Sequence, residues 1–257
     1  MKHTRFLLAI GLYASASLLI CIPARAQARG QRGAQTAKAS APIDLTGYWV
    51  AFVNEDWRYR MVTPPKGDYR GVPITLEALN IVRAWDPAAD EAGGMACKAY
   101  GAGAIMRVPG RIHVTWQDDN TLKLDTDAGM QTRLFRFGPP APAAGKPTTW
   151  QGHSAARWER PGGPPAGPGA PPRGSLTVVT TNMRAGYLRK NGVPYSENAT
   201  VTEYFDVAPQ PNGGQLLVVT TVVEDPRYLL QPFIVSSHFK KEADASKWDP
   251  TPCSATW

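Results

Sequence analysis

The stretch RIHVTWQDDNTLKLD, residues 111–125, decides the fold class. Ile112, Val114 and Trp116 alternate with Arg111, His113 and Thr115. Beyond Asp118-Asp119-Asn120, Leu122 and Leu124 alternate with Lys123 and Asp125. A strand turns successive side chains to opposite faces, so this period of two describes antiparallel strands with one dry face. Working outward, Ala128-Gly129 leads into a third such segment at 130–137. On the other side, Pro109-Gly110 reads as a hairpin turn between strands at 105–108 and 111–116.

Further strand-like runs lie at 150–159, 175–183, 200–207, 215–223 and 233–241, separated by Pro- and Gly-rich breaks. Residues 43–50 open the domain, and 57–62 reads as a second strand, ended by Pro64-Pro65-Lys66-Gly67. One short helix follows it: Thr75 is its N-cap, and Leu76, Leu79 and Val82 recur at helical spacing until Pro87. The expected fold is all-β, an antiparallel up-and-down barrel or strongly curved meander of about ten strands, because closure removes exposed edges.

The N-terminus points to export. A basic start, an apolar run at 6–22 and Ala24-Arg25-Ala26 follow the plan of a secretory signal peptide (1–26) cut after Ala26. The apolar run is too short to remain as a spanning helix, so a periplasmic or secreted product with no membrane span is expected. Residues 27–42 read as a flexible leader and 43–257 as a single β-barrel domain. Within it, 160–174 is a Pro/Gly loop with no apolar side chain to bury, and is expected to be disordered. Cys21 leaves with the signal. Cys97 and Cys253 remain as an even pair without a CxxC neighbour, which reads as a structural disulfide in an oxidising compartment.

The formal charge of +7 does not belong to the domain. Six of the 28 Lys/Arg precede Ile43 and all 21 Asp/Glu follow it, leaving 22 against 21. A nucleic-acid binder keeps its positive charge on the folded part, so that class is excluded.

Gly47-x-Trp49 at the head of an antiparallel meander resembles the lipocalin-like (calycin) barrels, and Thr202-Glu203-Tyr204 is similar to a second signature of that group. The resemblance implies a cup-shaped interior whose closed end is plugged by Trp49. There the tryptophan meets a basic side chain of the last strand, Lys240 or Lys241 here, where lipocalins prefer Arg. The early helix and a strand count above eight depart from the family. EDWR (55–58), TWQDDN (115–120), GYLRKNGVPYSE (186–197) and TVVEDP (221–226) resemble a group of exported bacterial proteins, a likeness that lends no chemistry.

Several residues carry candidate chemistry. Glu203 shares the Val201/Phe205 face of its strand and so points into the apolar layer, where a carboxylate must be paired or protonated. Arg133 and Arg107 are its possible partners. A structural ion pair and a proton carrier for catalysis, with His238 as the other such carrier, both remain open. His113, His153 and His238 lie on three different strands and would make a metal site if they converged, although no HxH or HExxH spacing demands it. In a strand at 57–62, Arg58 and Arg60 share a face and would clamp an anion. Tyr187, Arg189 and Tyr195 sit on a long loop with a tight turn at Asn191-Gly192, suited to touching a ligand, and Trp116 and Tyr204 supply aromatic wall.

No P-loop, dinucleotide fingerprint or Gly-x-Ser-x-Gly elbow is present, and no cofactor is expected. The first functional expectation is an exported binding protein that holds a small, partly apolar molecule, neutral or anionic, in a barrel cavity. The second is a cofactor-independent lyase, isomerase or hydratase using a cavity carboxylate or histidine. The third is a structural or partner-binding envelope protein.

Overall fold

Alternating side chains of nine strands face one another across a closed barrel in the computed structural model, which describes residues 35–138, 149–162, 173–211 and 213–256. The signal peptide, most of the leader and most of the 160–174 loop lie outside the described residues. The strands are β1 (Gly47–Ala51), β2 (Arg111–Asp118), β3 (Thr121–Thr126), β4 (Thr132–Phe137), β5 (His153–Glu159), β6 (Ser175–Thr181), β7 (Gly186–Arg189), β8 (Val193–Tyr195), β9 (Thr200–Pro209), β10 (Gln215–Glu224) and β11 (Phe233–Lys241). Their order round the barrel is β1-β11-β10-β9-β6-β5-β4-β3-β2, while β7 and β8 form a separate two-stranded sheet.

The barrel is all-β as expected, with one correction to the up-and-down scheme. Strand direction cannot alternate all the way round an odd number of strands, so one neighbouring pair must be parallel. That pair is β4–β5, with Phe135 opposite Ser154. The register elsewhere is antiparallel and matches the alternation read from 111–125: Val114 lies opposite Leu124 and Ile112 opposite Thr126.

The inward face is a contiguous apolar core. Trp49, Ile112, Val114, Leu122, Leu124, Phe135, Leu176, Val178, Phe205, Leu217, Val219 and Phe239 are all buried within it. Each such side chain contributes roughly 1.5–3 kcal/mol over its exposed state, an upper figure because unfolded chains already bury some surface. Trp49 donates its indole N–H to the Leu45 carbonyl at 2.9 Å. The ammonium of Lys241 lies 4.2 Å from the Trp49 ring and donates to the Thr46 carbonyl, which is the tryptophan–cation contact expected at this end. Lys240 points the other way, over Phe52.

The opposite end carries a cap that the sequence reading misjudged. Residues 57–62 do not form a strand: Trp57–Arg60 is a helical turn, α1. Helices α2 (Leu76–Ala84) and α3 (Pro87–Ala92) follow, the first on its expected Thr75 N-cap, the second on Asp86. Pro87 therefore stops one helix and starts the next, since proline's fixed φ and missing N–H suit a first helical turn. Two 3-10 turns, Ala96–Tyr100 and Ile105–Arg107, replace the strand expected at 105–108. Ile105, Met106 and Arg107 are all buried.

Residues 186–195 likewise form the hairpin β7–β8 rather than an open loop. Leu188, Val193 and Tyr195 of this hairpin join Ala78 and Val82 of α2 in a second core. That core continues onto Val201, Val223 and Phe233 at the adjoining ends of β9, β10 and β11. A Cβ at Gly101 would sit 2.1 Å from the Tyr195 hydroxyl, so glycine is what lets the 101–104 backbone pass beneath the ring.

Two ties complete the frame. Cys97 and Cys253 are bonded, with Cα atoms 5.1 Å apart, fastening the first 3-10 turn to the chain's tail across 156 residues. Such a bridge fits an oxidising, extracellular setting. Residues 35–42, the end of the stretch read as leader, are docked rather than free. The Ala37 carbonyl accepts from Trp158 at 2.8 Å, and its amide donates to Asn120 at 2.9 Å. Among the described residues no helix is long and apolar enough to cross a membrane.

Candidate functional site: a buried arginine cluster in the cap

The helical turn at 57–60 changes what its arginines can do. Residues two apart on a helix lie about 200° apart round the axis, whereas on a strand they share a face. Arg58 is accordingly exposed, its guanidinium 5.5 Å from the Tyr59 ring, and Arg60 is driven inward to 2% exposure. Two further arginines meet it from other elements: Arg107 on the second 3-10 turn and Arg189 at the end of β7, both buried. With Tyr59, Leu188 and Lys190 they line a cavity of about 20 Å³, room for roughly one water-sized group.

Each guanidinium is held by part of its N–H set. Arg60 donates Nε to the Arg107 carbonyl at 2.8 Å and pairs Nη1 with Glu55. Arg107 places Nη2 3.1 Å from an oxygen of Asp56. Arg189 donates Nη1 to the Arg70 carbonyl at 2.8 Å and lies 4.0 Å over the Tyr59 ring. Nη2 of Arg60, Nη1 and Nη2 of Arg107 and Nε of Arg189 are buried with no hydrogen-bond partner among the described protein groups, the Arg107–Asp56 contact being an ion pair by distance alone. An unmet buried donor costs about 1–3 kcal/mol. Four such nitrogens on one cluster make an acceptor-seeking site.

The electrostatics agree. Burial lowers the pKa of all three guanidiniums. For Arg60 the Glu55 carboxylate opposes that shift and repulsion from Arg107 adds to it; for Arg189, repulsion from Arg107 comes directly after burial. For Arg107 the carboxylates of Asp56 and Glu55 are what offset burial. Arginine keeps its charge through shifts of this kind. Three cations therefore share Glu55 and Asp56, with Asp68, itself paired to Arg70, also reaching Arg189; positive charge remains in excess, an arrangement that favours a further anion. Lys190 borders the same cavity but sends its ammonium to the Tyr100 hydroxyl at 2.6 Å, and burial brings its pKa down to about 8.

The other expected residues are placed as follows. Glu203 is fully buried on the inner face, as its parity required, and Arg133 grips it with both terminal nitrogens, at 2.9 and 2.5 Å. Thr180 receives a weaker bond from Arg133 and pairs with Ser154 at 2.8 Å. Arg107, the alternative partner, belongs to the cap instead. His238 faces outward, its Nδ1 2.8 Å from Glu55 and 2.9 Å from Asn54, so Glu55 bridges it to Arg60.

His113 stacks on Tyr48 at 3.9 Å, and His153 is exposed. The three histidines thus keep separate surroundings. Among the described residues no group of three or more His, Cys, Asp or Glu is placed to hold a metal.

Of the expected ligand contacts, Arg60 and Arg189 come together and the rest do not. Trp116 packs with Phe137 and Trp158 at the far end, and Tyr204 is exposed on the outside of β9. Tyr187 donates to Asp90 at 2.8 Å, while Tyr195 is wholly buried beneath the hairpin. No anion-binding role for Arg107 is expected from the sequence. An arginine inside the apolar run Ile105-Met106-Arg107-Val108 was the available signal, since a charge is not buried there without a reason. The chain matches no family model, no curated protein and no solved structure.

Proposed function

We propose that this is an exported binding protein that takes the carboxylate, or a like anionic group, of a small and partly apolar molecule onto Arg60, Arg107 and Arg189. One observation carries the reading: three buried guanidiniums from three separate elements each keep an N–H without a hydrogen-bond partner among the described residues, around one small cavity. Guanidinium donors lie in a plane and match the two oxygens of a carboxylate, so the geometry suits that head group above a neutral one. The cavity has room for about one oxygen of that head group, so the remainder stays outside it; Trp57 and Met61 of the α1 region are 64% and 54% exposed. Export, through a signal peptide cut after Ala26, fits the Cys97–Cys253 bridge. The likeness to lipocalin-like carriers fits the closed barrel, with the site moved from the interior to the cap.

The lyase, isomerase or hydratase reading ranks lower. Its general base would be Glu203, and both oxygens of that carboxylate are engaged by Arg133 inside the core.

The test is calorimetric titration of the purified protein with benzoate and with benzamide, its neutral analogue. Saturable binding of benzoate alone, lost in Arg107→Gln with the fold retained, supports the reading. Equal binding of both compounds, or of neither, sinks it.

A further inference from the structure

We infer that Asp56 is a built-in stand-in for the ligand: its carboxylate holds the place at Arg107 that the ligand's carboxylate takes, and so decides which anions bind. This rests on the anion-binding reading above. Asp56 precedes α1 in the left-handed region, at φ 49° and ψ 25°, a conformation that Asp and Asn adopt more readily than other non-glycine residues. An aspartate before a helix ordinarily accepts a bond from the first turn's N–H groups. At the heads of α2 and α3, Thr75 and Asp86 do this. Asp56 makes no such bond and turns its carboxylate onto Arg107 instead.

The two partners are unequal. The side chain of Asp56 is 40% exposed while that of Arg107 is 5% exposed, so the carboxylate is the member of the pair that can leave. Its charge also reaches Arg60 and Arg189, so it partly neutralises the whole cluster until a stronger acceptor arrives. Glu55 is not interchangeable with it, being tied to both Arg60 and His238.

On ligand entry the Asp56 carboxylate leaves Arg107 for solvent, to which its 40% exposed side chain already has access. A carboxylate that reaches two guanidiniums at once outcompetes Asp56. A neutral or singly contacting group does not. Asp56 thereby sets a threshold that selects for bidentate anions.

The experiment titrates benzoate into the wild type, Asp56→Ala, Asp56→Asn and Arg107→Gln, each first checked for a cooperative thermal transition. Removing the internal competitor is expected to tighten benzoate binding about five-fold in both Asp56 variants, the worth of one half-exposed ion pair. Asn keeps the left-handed preference of Asp, so it reads the charge alone should the Ala variant fold poorly. Wild-type binding that is lost in Arg107→Gln, yet unchanged or weakened in both Asp56 variants, overturns the inference and leaves the basic site standing. No saturable binding by any of the proteins overturns the basic site as well.

Discussion

Arg133 and Glu203 meet fully buried inside the barrel, two parallel N–H···O contacts joining β4 to β9 across its interior. Removing one partner of such a pair strands a charge in a medium that solvates it poorly. Glu203→Gln is therefore expected to lower unfolding stability by about 3–5 kcal/mol, read by urea denaturation. Replacing both with apolar residues of similar volume is expected to cost far less, because no uncompensated charge is left. Equal losses in the single and double variants would show that the pair itself, not its isolated remnant, carries the energy.

That pair was legible in the sequence for a simple reason. Glu203 occurs between Val201 and Phe205, and a period of two places all three on one face whatever the tertiary structure. The same logic gives the hairpin of β2 and β3. It fails at Trp57-Arg58-Tyr59-Arg60, because a four-residue alternation is satisfied equally by one turn of helix. The cap's other arginines meet through the 3-10 turn after Gly101-Ala102-Gly103-Ala104 and the β7–β8 hairpin. Those are long-range placements with no local period to read.

The disulfide provides a second prediction. It closes a 156-residue separation and anchors the 3-10 turn that holds Tyr100 against Lys190. Cys97→Ser with Cys253→Ser is expected to lower stability by about 2–5 kcal/mol. The check is the thermal midpoint with and without reductant: the wild type should fall on reduction and the double variant should not respond.

Lys190 makes stability depend on pH. In the folded protein burial brings its pKa down to about 8, whereas the unfolded chain holds the proton toward 10.5. Between those values the unfolded state binds more protons, so unfolding free energy rises with pH. Lys241 shifts in the same sense and the buried tyrosines in the opposite one, so the expected signal is a wild-type stability that rises relative to Lys190→Met from pH 8 toward 10. A difference between wild type and variant that does not grow over this range would contradict the burial of a charged amine.

The glycine beneath Tyr195 is testable by a cycle of variants. Gly101→Ala puts a methyl 2.1 Å from the Tyr195 hydroxyl oxygen and 3.4 Å from the ring carbon that bears it. Overpacking of this kind costs about 1–3 kcal/mol. Tyr195→Phe removes the oxygen, so Gly101→Ala should cost measurably less in that background. Additive losses would mean that the two positions do not touch.

The most direct measurement is a crystal structure of the protein soaked with 4-bromobenzoate, the bromine located by its anomalous signal. The expected result is a carboxylate within hydrogen-bond reach of Arg107 and Arg60, the bromine lying toward Trp57, and the Asp56 carboxylate withdrawn from Arg107. Bromine found only elsewhere on the molecule, with Asp56 still on Arg107 and nothing but water among the three guanidiniums, would contradict an anion-binding role for the cap.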